Sequence, residues 1–279
     1  MSTAEHPRNH SGEGFTVLAT KHADDPAPGG DEITRAVEEA WIGERGYARA
    51  GGSGGGGGGW QRRALAFLGE VTTASGAKIM ELFVLDLPDD CSALREASGP
   101  ATPLQGTSVR RPHPPHGVSQ RRLTHTWGRA HPGLSQGGHS GPRFWPRSSP
   151  CGALVAVVAL DQEGVPQLFT VRTAGGGGGE GGGSGGRSGG GGGSGWRQVT
   201  RLPNPGVESA FTWHPIIDLL AFVHDGSVCV VEVDVDEDMS QREGEGGGGG
   251  SSSNPRRRRQ GVVRLTRRRV GEGAPRPEV

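Results

Sequence analysis

The sequence predicts an all-β chain built from repeated four-stranded antiparallel units. Three observations carry this reading: a tetrapeptide that recurs at the ends of strand-like stretches, two proline turns one repeat length apart, and paired apolar segments joined by hairpin loops. The tetrapeptides are Arg121-Arg122-Leu123-Thr124, Arg197-Gln198-Val199-Thr200 and Val263-Arg264-Leu265-Thr266.

The proline turns are Ser149-Pro150-Cys151-Gly152 and Trp213-His214-Pro215. Proline sets φ at about −65° at the second position of a turn, and a following glycine takes a positive φ without steric cost. From Pro150 to Pro215 is 65 residues, and removing the 21-residue glycine tract at 175–195 leaves 44. That period lies within the roughly 40 to 45 residues of a four-stranded propeller blade. The expected architecture is therefore a partial β-propeller of about three blades with one short helix and glycine-rich insertions.

The elements follow in order. Residues 1–50 hold an N-terminal loop and the helix, predicted over Asp31 to Trp41 because Ile33, Ala36, Val37, Ala40 and Trp41 fall on one face at helical spacing. Residues 51–59 are a glycine insertion, and residues 60–127 are the first blade, with strands from Ala64 to Thr73 and Ile79 to Leu87 and an outer strand ending at Thr124. The second blade spans 128–174 and 196–200 around the insertion at 175–195. Its segment Leu154 to Leu160 is apolar throughout, as a strand covered on both faces must be. Gln167 to Val171 is its partner across the Asp161-Gln162-Glu163-Gly164 loop. The third blade spans 201–270, pairing Leu219 to Val223 with Val228 to Val233 across Asp225-Gly226, a strong hairpin signal, and it carries an acidic, glycine- and arginine-rich insertion at 234–259. Residues 271–279 are a tail. Trp145, Phe211 and Trp213 are expected to pack between blades.

Glycine content supports the insertions: three tracts (51–59, 175–195, 244–250) hold 30 of the 53 glycines, leaving an ordinary share elsewhere. Formal net charge is zero, which argues against a nucleic-acid or anionic-membrane partner, although Arg256 to Arg269 is locally basic. The three cysteines, Cys91, Cys151 and Cys229, have neither disulfide nor zinc spacing. With a polar N-terminus and no apolar run longer than Ala153 to Leu160, the expectation is a soluble, cytoplasmic protein.

These residues resemble the TolB-like, WD40-like propellers, whose blades carry a Ser-Pro-Asp-Gly turn and an Arg-Gln-Leu-Thr strand end. Within them the chain is similar to the domain of unknown function 3748 family, through Val17 to His22, Asp24 to Arg35, Leu85 to Asp90, Gly141 to Arg143 with Arg147 to Pro150, and Ser209 to Trp213. The resemblance covers most of the chain outside the glycine tracts and looks like the C-terminal half of a family member. Propellers use about four to eight blades, so the remaining ones are expected upstream of Met1 in a longer protein or beyond a truncated gene model, or else copies of the chain associate to cover the open faces. Cys151 stands where the turn motif has aspartate, and His214-Pro215-Ile216-Ile217-Asp218 lacks its glycine, so the third turn is expected to be distorted or longer.

Candidate chemistry is sparse. Ser149, Pro150, Gly152, Trp213, Pro215, Thr124, Thr200 and Thr266 read as structural blade residues. Asp24, Asp25, Asp31, Glu32, Glu38 and Glu39 form the candidate functional loop, as either a solvated face or a cation site. His125, His139, His214 and His224 lie near strands or turns without ligand spacing. No phosphate-binding loop or nucleophile elbow occurs, and no cofactor is indicated. The leading expectation is a scaffold binding a protein or small polar ligand. Fold similarity to oligogalacturonate lyases implies the alternative, a divalent-metal-dependent lyase or hydrolase of acidic oligosaccharides.

Overall fold

Each predicted hairpin pairs residue against residue in the computed structural model, which describes residues 16–49, 59–107, 111–135, 144–175 and 196–234 with the backbone of 262–264. In the first sheet β1 (Ile33–Trp41), β4 (Ala64–Thr72), β5 (Lys78–Asp86) and β6 (Ser119–Arg122) form an antiparallel meander. A short ribbon of β2 (Tyr47–Ala48) and β3 (Trp60–Gln61) sits in the β1–β4 connection. The second sheet is β7 (Arg147–Ser148), β8 (Leu154–Leu160), β9 (Pro166–Arg172) and β10 (Trp196–Gln198). The third is β11 (Thr212–Trp213), β12 (Leu219–His224), β13 (Ser227–Glu232) and β14 (Val262–Arg264). The protein is thus all-β in its described residues, with three four-stranded antiparallel sheets and one two-stranded ribbon.

The helix expected over Asp31 to Trp41 is instead strand β1, and the one helical element among the described residues is a 3₁₀ turn at Cys91–Arg95. The cause is visible in the register. Ile33, Ala36, Val37, Ala40 and Trp41 pair with Val71, Gly69, Leu68, Ala66 and Leu65, with register shifts between Ile33 and Ala36 and between Val37 and Ala40. Each shift inserts one extra residue on β1, as in a β-bulge. The residues of β1 that stay opposite β4 therefore fall at i, i+3, i+4, i+7 and i+8, the spacing of a helix, although their partners lie on both faces of the sheet, and Glu38 takes φ 57° inside the second bulge.

The turns follow their chemistry. Asp225 and Gly226 both take positive φ, 49° and 62°, as a two-residue hairpin loop requires. The His214 turn is not longer, since His214 N donates to Leu219 O at 2.8 Å just as Ser149 N donates to Leu154 O at 2.8 Å, but its interior is distorted as expected: Leu219 N donates to Ile217 O at 2.8 Å, where the Ser149 turn closes through Gly152 N to Ser149 O at 2.9 Å. The imidazole does the work of the missing residues, since His214 Nδ1 accepts from the backbone N–H of Ile216 and of Ile217, both at 3.2 Å.

The sheets stack face to face. Leu68, Leu82 and Val84 of the first pack against Val157, Phe169 and Val171 of the second. Val158 and Leu168 of the second pack against Leu220, Phe222 and Val231 of the third. Each such buried side chain contributes about 1.5–3 kcal/mol. The other face of the first sheet, with Phe67 stacked on Phe83 at 5.5 Å, is covered by Ala19, Leu87 and Val118.

The recurring tetrapeptide has two separate jobs. Its threonine ties a buried knot: Thr200 Oγ1 accepts from Leu168 N at 2.9 Å and donates to Gln167 Oε1 at 2.8 Å, while Leu202 N also donates to that oxygen. Thr124 repeats this with Leu82 N and Glu81 in the first sheet. Thr266 lies outside the described residues. The first arginine reaches across to the next sheet, Arg121 to the carbonyls of Thr173 and Gly175 and Arg197 to that of Asp234. Thr200→Val should cost about 1–3 kcal/mol, because it leaves the buried Leu168 N–H without an acceptor and Gln167 Oε1 with one donor fewer. Urea unfolding measures it, and a loss below a few tenths of a kcal/mol would refute the knot.

Candidate functional site

Because every sheet is a meander, its first-to-second and third-to-fourth connections leave from one end and its second-to-third hairpin from the other. The first strands β1, β7 and β11 lie side by side, so the turns that follow them converge. Gly43 N donates to Ser148 Oγ at 2.9 Å, Glu44 N to Pro150 O at 3.2 Å, and Trp213 Nε1 to Arg147 O at 2.8 Å. Together they frame a cleft of about 230 Å³ walled by Trp41, Glu44, Arg147, Trp213, His214 and Pro215. The glycine tracts attach at this same end: one within the β1–β4 connection, one between β9 and β10, one between β13 and β14.

The cleft is polar in a directed way. Trp41 is 63% exposed and offers an aromatic wall. The Arg147 guanidinium lies 5.7 Å from the ring centroid of Trp145, a cation–π contact, and among the described residues no carboxylate stands within salt-bridge distance of it. His214 Nδ1 is occupied as an acceptor, which puts the proton of the neutral ring on Nε2. Trp145 itself is 36% exposed, so it does not pack between sheets as expected; Trp213 and Phe211 are buried between the second and third.

The carboxylates of the candidate loop do not gather. Asp24 pairs with Arg111, Asp31 Oδ1 accepts from Arg122 at 3.2 Å, and Glu32 Oε2 accepts from Ala27 N at 3.2 Å. Glu38 and Glu39 belong to β1. Glu70 of β4 is held below the ordinary glutamate range by the Thr34 hydroxyl, with Arg35 and Lys78 beside it. Among the described residues no three His, Cys, Asp or Glu side chains converge as a metal site. His224 is buried against Gly206 O at 2.8 Å, His125 is exposed, and His139 lies outside the described residues. Of the Arg256 to Arg269 segment only the backbone of 262–264 is described.

One further polar cluster lies deep beside the cleft. Tyr47 donates to Asp86 Oδ1 at 2.8 Å and accepts from Arg121 at 2.8 Å, and burial raises its phenol above the usual range against the pull of Arg121. At 1% exposure Tyr47 is a strut between ribbon and sheet rather than a reacting group. Sequence reasoning missed Trp41, Glu44 and Arg147. The available signal was positional: Trp41 pairs with Leu65 as Trp213 does with Leu220, each at the end of a first strand.

No family model matches the chain, and no solved structure matches it. It is 37% identical over 224 residues to the Uncharacterized protein YidR of Escherichia coli (strain K12), a match covering 80% of this chain and 44% of that protein. The chain therefore spans less than half the length of this curated relative. No helix of the described residues is long and apolar enough to cross a membrane.

Proposed function

We propose that the three sheets are consecutive blades of a TolB-like β-propeller, belonging to a longer ring, and that the cleft at the converging first strands binds a small polar anion. The observation that supports this most is the cleft itself. Three turns far apart in sequence meet there and present the Arg147 guanidinium and the His214 Nε2–H beside the exposed indole of Trp41. A guanidinium with no carboxylate at salt-bridge distance favours an anionic group, with Glu44 on the cleft wall selecting against large polyanions, and an indole face suits a ring. Blade-like repetition agrees with the 44-residue period and with a relative more than twice as long as the matched segment.

Tryptophan fluorescence with trigalacturonate, citrate and glucose 6-phosphate as probes tests this reading. Saturable quenching by at least one anion is expected, with affinity at least tenfold weaker in Arg147→Ala and in Trp41→Ala. Absence of binding, or binding indifferent to both substitutions, refutes it. Added manganese with trigalacturonate separates the enzymatic alternative, since a lyase releases an unsaturated product that absorbs in the ultraviolet.

A further inference from the structure

The cleft has an apolar rim that a small anion does not use. Of the seven large apolar side chains exposed among the described residues, four sit in or beside the connections that follow the first strands: Trp41, Trp60, Ile216 and Ile217. Ile216 is 82% exposed, the most of the seven, and follows Pro215 on the cleft wall. Trp60 stands behind the other wall, where its Nε1–H donates to Arg45 O at 2.6 Å, one residue past Glu44.

The turn holds its isoleucines in water by design of its own hydrogen bonds. Turns favour glycine, proline, asparagine, aspartate and serine, and the corresponding turn of the second sheet is Ser149-Pro150-Cys151-Gly152. In the third sheet two β-branched apolar residues stand in that place. His214 Nδ1 accepts from the N–H of both at 3.2 Å, and Ile217 O accepts from Leu219 N at 2.8 Å, so the backbone of the pair is fixed. An exposed apolar patch bordered by charge marks a surface that another molecule covers.

Charge around the patch restricts what that molecule is. Arg147 lies half-buried on the cleft wall with no carboxylate at salt-bridge distance, and Arg45 and Arg62, exposed on either side of the β2–β3 ribbon, likewise make no ion pair among the described residues. Against them stand Glu44 on the wall and the half-buried Asp218 in the turn. The cleft therefore favours one carboxylate and disfavours a run of them.

We infer that this end of the protein docks a peptide segment of a partner protein, in which a single aspartate or glutamate enters the cleft between apolar neighbours. The carboxylate accepts from Arg147 and from the His214 Nε2–H, while the flanking apolar side chains cover Trp41 on one side and Ile216 and Ile217 on the other. This deepens the anion-binding reading and rests on it, the anion being that one carboxylate. Tryptophan and arginine are the side chains on which protein interfaces concentrate their affinity. A lipid surface also suits exposed isoleucine and tryptophan, but an extended chain reaches Arg147 inside the cleft and a flat surface does not.

A phage-displayed library of random dodecapeptides, panned on the immobilised full chain, tests this. Enriched peptides are expected to carry one aspartate or glutamate between apolar residues. Labelled and titrated by fluorescence anisotropy, they should bind about tenfold more weakly to Ile216→Ser/Ile217→Ser and to Arg147→Ala, and as weakly to the parent once their acidic residue is replaced by its amide. The isoleucine variant should keep the parent's melting temperature, since both side chains are exposed. No enrichment, enrichment without an acidic residue, or affinity indifferent to either variant overturns the inference. Co-sedimentation with vesicles of phosphatidylcholine and phosphatidylglycerol, or dimerisation of the chain alone, also overturns it if lost in the isoleucine variant, because a lipid surface or a second copy is then the occupant. Citrate and glucose 6-phosphate fill the cleft without reaching the isoleucines and should bind that variant as they bind the parent. A failed peptide with intact anion binding sinks the peptide alone, and failure of both sinks the cleft reading.

Discussion

Glu81→Gln should destabilise the protein by about 2–3 kcal/mol, and adding Arg122→Gln should restore stability to within about 1 kcal/mol of the parent. Glu81 is fully buried at 0% exposure. Its Oε1 accepts from Arg122 at 3.1 Å and from the N–H and hydroxyl of Thr126 at 2.6 and 2.8 Å, and its Oε2 from Thr124. Removing the carboxylate charge leaves the Arg122 guanidinium, itself 5% exposed, with only the surface carboxylate of Asp31 opposite it. A buried cation without its counter-charge is expensive.

The second sheet shows what the double variant would become. Gln167 and Gln198 occupy the positions of Glu81 and Arg122 there. Gln198 Nε2 donates to Thr200 O at 2.8 Å where Arg122 Nε donates to Thr124 O at 2.7 Å, and Gln167 Oε1 accepts from Leu202 N at 2.9 Å. Charge leaves the interior on both sides of the pair at once, and the hydrogen bonds have a template. Urea denaturation of the four proteins in the cycle measures the coupling. Additive losses would mean that Glu81 and Arg122 act independently and that the comparison of the two sheets is mistaken.

Gly152→Ala carries the other large effect, a loss of about 3 kcal/mol or more together with weakened anion binding. Gly152 has φ 76°, and a Cβ built there would stand 2.0 Å from the carbonyl oxygen of Gly46. Gly46 is equally constrained, at φ 88° and with its own Cβ position 1.7 Å from Gln61 O. Backbone meets backbone on both sides, so no rotamer change relieves the overlap. The Ser149–Gly152 turn and the turn leading to the β2–β3 ribbon are the first and second walls of the cleft, and separating them parts the Trp41 side of the cleft from the Arg147 side. Gly76→Ala is the control: φ is 84° but nothing lies within 4 Å, so only the backbone cost of about 1 kcal/mol is expected. Equal losses at the two positions would dismiss the close approach as the cause.

Much of the fold was legible because its signals are local. Leu154 to Leu160 is apolar without interruption and closes on a loop whose aspartate accepts from Glu163 N and Val165 N, and Asp225-Gly226 can make little but a hairpin. The first strand was illegible for an equally definite reason: its bulges reproduce helical spacing, and only pairing with β4 distinguishes the two. At the third turn the missing glycine announced the distortion but not the histidine ring that holds the turn to its ordinary length by taking two backbone N–H groups, a substitution that sequence motifs do not anticipate.

By itself, then, the sequence determined the strands other than the first, their hairpins, the period of the units and the places where glycine interrupts them, since these depend on contacts within some forty residues. Tertiary structure decided what the repeats mean. The arginine and threonine of one tetrapeptide turned out to serve different interfaces, one tying a sheet to the next and the other closing its own buried knot. Trp41, Arg147 and His214 share a cleft only because three first strands are stacked side by side. Convergence of that kind has no local energy to mark it in the chain, and so no local pattern by which it can be read.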